Sequence, residues 1–366
     1  MQYSLNEKVV IWLNLFDFLT IDKKHAILSC YDEPKDMFGS FLSDYEMFSR
    51  ILTKEQFNQM ASLLDEKIID SEILNLDKDG IIVLTYLSKH YPTEFCNYSH
   101  YPIALYCKGD ISLMDSYSMA IVGTRKITKY GVFATEKICS SLVDNGITII
   151  SGMATGVDTI AHKMALSKGG KTIAVLGSGF NNIFPKSNYE LYQKICEKGL
   201  VITEYKPSMP PLAHNFPVRN RIIALLSKAV VLTEAGIKSG ALYTVNYGLE
   251  YGKEIFAVPG NIDSFGSQGC NQVLKNCQAG LITCAEDIYK VLRIDNNSQK
   301  VQKTVQLSID EQVLIDAIGN DELSFDEIEA LTKFDTKTLV RLLTTLELSG
   351  IIKKSAGNFY SRILND

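Results

Sequence analysis

Between residues 98 and 293, short apolar, β-branched segments alternate with helix-length amphipathic ones, and this leaves few architectures open. Strand-like runs occur at 120–123, 147–152, 172–177, 200–204, 229–234 and 254–260, each closing in glycine or a polar residue. Segments such as 131–144 and 157–167 between them carry helical periodicity. Strand, helix, strand in this order closes as right-handed crossovers, which build a parallel sheet covered on both faces. The expected class is α/β, a Rossmann-like, doubly wound, mostly parallel sheet over residues 91–294.

The flanks have a different texture. Residues 1–90 read as short helices at 9–16, 23–29 and 54–64 joined by acidic turns, a small helical (SAM-like) N-terminal domain. A polar linker at 295–306 leads into 307–366, with helices at 310–318, 325–331 and 336–349 and a hairpin at 351–360. That order is a winged helix-turn-helix.

No apolar run approaches the ~20 residues of a membrane helix, and the first eight residues lack a secretory layout. Eight cysteines include no Cys-x-x-Cys pair, and Cys270, Cys277 and Cys284, seven apart, are too widely spaced for a zinc knuckle. The expectation is a soluble, reduced, cytoplasmic chain without metal, cofactor or membrane partner.

In an open parallel sheet, ligands bind beyond the carboxyl ends of the strands, near the reversal of strand order. Four loops belong there: Gly123-Thr124-Arg125-Lys126, the stretch Ser151 and Gly152 through Gly156 to Asp158, Gly177-Ser178-Gly179, and the stretch Glu234 to Ser239, Gly240 and Ala241. Glycine at a strand-to-helix turn lets backbone amides approach an oxyanion, and the helix start adds partial positive charge. Nucleotide signatures fail. The first strand is not followed by Gly-x-Gly-x-x-Gly, and Lys168-Gly169-Gly170-Lys171-Thr172 has Ala165 where a P-loop needs its first glycine.

The net charge of −5 excludes a uniformly basic nucleic-acid binder, but not a local patch. Residues 116–135, 159–189 and 205–233 contain no acid at all. They hold eleven cations: Arg125, Lys126, Lys129, Lys163, Lys168, Lys171, Lys186, Lys206, Arg219, Arg221 and Lys228. A basic stripe on an acidic protein fits a polyanion. Within 214–221, an exposed Phe216 would stack on a base beside Arg219 and Arg221 on phosphates; alternatively Phe216 belongs to the core. Catalytic constellations are thin. Asp158 and His162 stand four apart on one helix, as an acid–base pair or as a helix-start hydrogen bond. Glu204 and Glu234 end strands, as hydrolytic carboxylates or as braces for loop amides.

Read in order, Val122-Gly123-Thr124-Arg125, Ser151-Gly152-Met153-Ala154-Thr155-Gly156-Val157-Asp158-Thr159-Ile160-Ala161-His162 and Phe216-Pro217-Val218-Arg219-Asn220-Arg221-Ile222-Ile223 resemble the DNA-processing protein A family (DprA, also called Smf). Ser239-Gly240-Ala241-Leu242, Phe256-Ala257-Val258-Pro259-Gly260 and Gly269-Cys270-Asn271-Gln272 agree with it. The resemblance implies a non-enzymatic protein that binds single-stranded DNA without sequence preference. It also implies protection of incoming strands in natural transformation, loading of the RecA recombinase, and a homodimer formed through the Rossmann-like domain. By position it makes Arg125 the prime strand contact and Phe216 a base contact, with the 152–158 loop lining the pocket. Gly123, Thr124, Lys126, Ser151, Lys163, Gly177, Lys186, Arg219, Asn220, Arg221, Ser239 and Gly240 complete the expected interface.

Two departures stand out. Cys277-Gln278-Ala279-Gly280 lacks the family's usual Gly-Ala pair, and Ala213 lies near a position where some relatives carry lysine. The segment 268–271 is read as dimer-proximal or loop-bracing. From Thr304 to Asp366, eleven acids face six bases, so the winged helix is expected to contact protein or to assist strand binding weakly. The alternatives are a nucleotide-processing hydrolase of the lysine-decarboxylase-like group, whose Pro-Gly-Gly-x-Gly-Thr signature is missing at 233–240, and a transcription factor acting through the winged helix.

Overall fold

The computed structural model describes residues 2–295, 308–319, 321–348, 351–355 and 357–362. From residue 296 onward the expected linker lies outside the described residues. The chain forms two compact units, Met1–Ser298 and Gln299–Asp366.

The first unit opens with six helices: α1 (Leu5–Asn14), α2 (Ile21–Leu28), α3 (Met37–Ser40), α4 (Tyr45–Phe48), α5 (Lys54–Ser62) and α6 (Glu66–Lys78). The starts of α1, α2, α5 and α6 are set by side chains that satisfy the otherwise orphaned first amides. Ser4, Thr20, Thr53 and Asp65 each accept from an amide two or three residues on. The helices bury Trp12, Phe41 and Phe48 in a core that also takes in Ala174 and Val201 of the sheet. Residues on both sides of position 90 therefore share one core.

Nine strands form one sheet: β1 (Ile82–Thr85), β2 (Ala104–Gly109), β3 (Ser118–Val122), β4 (Thr148–Ser151), β5 (Thr172–Val175), β6 (Leu200–Thr203), β7 (Ala229–Leu232), β8 (Glu254–Ala257) and β9 (Gly280–Leu281). Their spatial order is β1-β2-β6-β5-β4-β3-β7-β8-β9. From β6 to β9 every pairing is parallel, and β2 and β1 extend the edge antiparallel. The fold is the expected Rossmann-like α/β class. Strands β1 and β2 escape the alternation because no α-helix lies between them.

The crossovers are α7 (Lys129–Asp144), α8 (Val157–Ser167), α9 (Tyr189–Lys198), α10 (Asn215–Leu226), α11 (Ala241–Glu250) and α12 (Gln268–Lys275), and α13 (Ala285–Leu292) follows the last strand. All residues of β3 to β7 are buried, as a sheet covered on both faces requires. The chain runs β3 to β6 toward one edge and β7 to β9 toward the other. Strand order thus reverses between β3 and β7, where Val122 pairs with Leu232.

The second unit is a winged helix of α14 (Ile309–Ile318), β10 (Glu322–Ser324), α15 (Phe325–Thr332), α16 (Thr336–Leu348), β11 (Ile352–Ser355) and β12 (Phe359–Arg362), its sheet ordered β10-β12-β11. Leu314, Ile318, Ile328, Leu342 and Tyr360 fill its core. Among the described residues no helix is long and apolar enough to cross a membrane.

Candidate functional site

At the reversal the β3 and β7 loops diverge, leaving a crevice. The amide of Thr124 donates to the Glu234 carbonyl at 2.7 Å, and the amide of Val157 donates to the Thr124 carbonyl at 3.1 Å. These bonds lay the 123–126 loop over the start of α8. Only glycine fits at 123, where a Cβ would stand 2.5 Å from Val157 Cγ2 and 2.6 Å from the Glu234 carbonyl oxygen. Gly156 has φ +80° and packs against the Thr124 and Arg125 backbone. The Glu234 carboxylate accepts from the Thr128 amide at 2.8 Å and its hydroxyl at 2.7 Å. That hydroxyl in turn caps α7 by accepting from Gly131 at 3.1 Å. Glu234 is a brace.

The crevice is a cleft of about 950 Å³ walled by the 123–126 loop, Ala154 and Asp158, the start of α10, the 236–241 loop, and Phe265 with Gln268. Its lining carries four cations, Arg125, Lys126, Arg219 and Lys238, against a single acid among the described residues, Asp158. Phe216 lies half-buried in the first turn of α10. Its ring rests on Gly177, where a Cβ would come within 2.8 Å of Phe216 Cδ1, and stands 5.7 Å from the Phe184 ring. The Arg125 and Arg219 guanidinium carbons lie 5.6 and 5.9 Å from its centroid, within cation–π range. The Asn220 amide donates to the Gly240 carbonyl at 3.2 Å, tying α10 to the opposite loop.

Arg219 is nearly fully buried; it donates to the Gly152 carbonyl at 2.8 Å and to the Val175 carbonyl. Asp158 accepts from the Gly152 and Ala154 amides, each at 3.2 Å. A side chain at 152 would meet both, 2.6 Å from Arg219 Nη2 and 2.9 Å from Asp158 Oδ2. Burial pulls the Arg219 pKa down to about 10, opposed by Asp158, so the guanidinium stays charged at neutral pH. Burial pushes Asp158 upward, with Arg219 and the amides acting against it. His162 Nδ1 hydrogen-bonds Thr172 Oγ1 at 2.7 Å, and burial, reinforced by Arg219, pushes its pKa down to about 3. Asp158 and His162 each have a different partner, so they form no acid–base pair.

Of the expected interface, Gly123, Thr124, Arg125, Lys126, Phe216, Arg219, Asn220, Ser239 and Gly240 line this one cleft. Gly152, Gly156 and Gly177 sit behind it as packing positions, and the Ser151 hydroxyl donates to the Ile121 carbonyl at 2.7 Å. Lys163 and Lys186 are exposed outside it; Lys186 borders a second groove with Lys108, Phe180 and Tyr189.

Arg221 departs from expectation. Its guanidinium is buried, donates to both oxygens of Glu204 at 2.7 and 2.6 Å, and reaches the His100 carbonyl at 3.1 Å. Two residues on a helix are about 200° apart, so Arg219 and Arg221 point to opposite sides of α10. Glu204 is thereby engaged as an ion-pair partner. The acid-free sequence windows are likewise not an acid-free surface. Lys168, Lys206 and Lys228 pair with Asp144, Asp17 and Glu94, all outside those windows.

Sequence reasoning missed Lys238, Phe265 and Gln268. Lys238 had a signal, lying inside the 234–241 loop. Gln268 opens the 268–271 segment already singled out for another role, and Phe265 had no signal beyond a turn-rich segment whose place depends on the fold. Asn271 braces the loop after β8: it accepts from the Gly260 amide at 3.2 Å and donates to the Gly260 carbonyl at 2.9 Å.

Residues 82–293 match the family model for DNA recombination-mediator protein A, and 298–358 match that for the DprA winged helix domain. The chain is 34% identical over 319 residues to protein Smf of Escherichia coli, covering 84% of each. It is 38% identical over 220 residues to DNA processing protein DprA of Streptococcus pneumoniae, covering 60% of this chain and 77% of that one. The X-ray structure of DNA processing protein A from Streptococcus pneumoniae superposes with a TM-score of 0.61 at 31% identity, covering 79% of this chain and 98% of the other. DNA processing protein A from Helicobacter pylori, solved for its single-stranded DNA binding mode, gives 0.53 at 32% identity, covering 58% and 95%.

Proposed function

Because this chain belongs to the DNA recombination-mediator protein A family, we propose that it binds single-stranded DNA without sequence preference at the β3/β7 cleft and loads the RecA recombinase onto the bound strand. The observation that carries the binding site is the meeting of Arg125, Arg219 and Phe216 in one cleft at the reversal of strand order. Phosphates take the exposed Arg125, Lys126 and Lys238, while a base lies against the aromatic wall. Arg219 supports Phe216 from beneath. The protein works by holding and handing over a strand, as a homodimer through the Rossmann-like unit, and breaks no bond in it. The single-stranded DNA binding of the Helicobacter pylori relative supports this reading.

Fluorescence anisotropy with single- and double-stranded oligonucleotides of equal length, over a salt series, tests it. Single strands are expected to bind more tightly, with affinity falling steeply as salt rises. Equal binding of both forms, or no salt dependence, overturns the assignment. Loading is read as faster assembly of recombinase filaments on strands already covered by this protein; unchanged assembly removes that part.

A further inference from the structure

The segment 260–267, joining β8 to α12, is built from Gly, Asn, Asp and Ser, the residues of turns, with two large apolar side chains among them. Those two, Ile262 and Phe265, are 92% and 83% exposed. Single exposed apolar side chains are common on protein surfaces, but this pair stands on one loop and Phe265 lines the cationic cleft itself.

The stem of the loop is fixed. Asn271 clamps Gly260 by the pair of bonds described above, the Tyr130 hydroxyl donates to the Pro259 carbonyl at 2.6 Å, and the Gly269 amide donates to the Ala235 carbonyl at 2.7 Å. Between these pins the backbone makes turn bonds, from Ser264 to Asn261 at 3.2 Å and from Ser267 to Ser264 at 3.0 Å. The tip rests against the 236–241 loop, since a Cβ at Gly236 would lie 3.1 Å from the Phe265 carbonyl oxygen. Phe265 and the half-exposed Ile237 face the cleft that also holds Phe216 and Arg125. Phe216 enters from the β5 side, seated on Gly177, and Phe265 from the loop after β8. In sheet order these flank the β3/β7 reversal.

We propose that Phe265 is a second base-contacting jaw: an unstacked base of the bound strand lies on its ring, across the cleft from Phe216. This rests on the strand-binding reading above. Asp263 on the same tip repels phosphate, so the tip suits the face of a base and leaves the backbone to the Arg125 side. A second copy of the chain would also cover an apolar tip. Phe265 faces the cationic cleft, which favours the base.

The test uses the full chain with oligothymidylate and with an abasic strand of the same length. Wild type is expected to prefer the strand that carries bases. Phe265→Ala is expected to lose about tenfold on oligothymidylate and nothing on the abasic strand. Because the side chain is exposed, the variant keeps its fold. Phe265→Trp is expected to restore binding, and its indole emission to be quenched by the strand. The other tryptophan, Trp12, is wholly buried, out of the strand's reach, and adds only a constant background that wild type measures. Wild-type affinity of Phe265→Ala for oligothymidylate overturns the proposal. So does equal loss on both strands together with a smaller assembly in light scattering, which makes the tip a subunit contact. Failure of wild type to bind either strand at low salt overturns the strand-binding reading itself.

Discussion

The guanidinium carbon of Arg125 stands 5.6 Å from the centroid of the Phe216 ring, although the two residues are 91 positions apart in the chain. An exposed cation on the loop after β3 thereby meets a half-buried aromatic in the first turn of α10. That meeting places charge and stacking surface within one nucleotide's reach.

On the proposed strand-binding reading, Arg125→Ala removes one phosphate contact, and the exposed side chain leaves the core untouched. Single-strand affinity is expected to fall about tenfold, as for loss of a charged hydrogen bond. The slope of log affinity against log salt should flatten by about 0.7. Anisotropy titrations at several salt concentrations check both, with circular dichroism showing an intact fold.

Gly177→Ala separates the position of Phe216 from its presence. The added methyl would sit 2.8 Å from Phe216 Cδ1, so the ring must leave its seat. Binding is expected to weaken nearly as much as in Phe216→Ala, where stacking of roughly 1–3 kcal/mol is lost. Wild-type affinity in Gly177→Ala would show that the ring's seating is immaterial.

Glu204→Gln leaves the buried Arg221 guanidinium without its counter-charge. The pair is bidentate, with side-chain exposures of 4% and 13%. Breaking such a pair costs about 3–5 kcal/mol. Urea denaturation should show that loss, with strand binding retained at low temperature because neither residue lines the cleft.

His162 gives the fold an acid sensitivity. Its folded pKa is near 3, against an ordinary value of 6.5. The unfolded chain therefore binds the proton first, and stability falls as pH drops from 6.5 toward 3. From pH 7 to pH 5 this one group contributes a loss of about 2 kcal/mol. Urea midpoints at the two pH values should converge in His162→Gln relative to wild type.

Cys277 ends α12 with φ +55°, a left-handed conformation that costs a side chain but not glycine. It lies in the stretch 277–280, where the resemblance leads one to expect a Gly-Ala pair. Cys277→Gly is expected to raise stability by about 1 kcal/mol, read as a higher Tm. A lower Tm would mean that the thiol makes a contact outweighing the backbone strain.

The strand–helix alternation determined the parallel sheet and its rim of glycine-bearing loops, and the order of three helices and a hairpin determined the terminal winged helix. Periodicity is a local property, and buried strands tolerate little but apolar residues. Glycines at 123 and 156 were legible as turn residues at strand ends, but what requires them, the close approach of Val157, Glu234 and the Thr124 backbone, is tertiary. Which cations remain free was decided only by tertiary packing. Arg219 and Arg221 differ by two positions yet lie on opposite sides of one helix. The acids that neutralise Lys168, Lys206 and Lys228 come from distant segments. The edge strands β1 and β2 and the jaw at Phe265 were equally hidden, because neighbours across a sheet or a cleft are set by long-range contacts that no local pattern records.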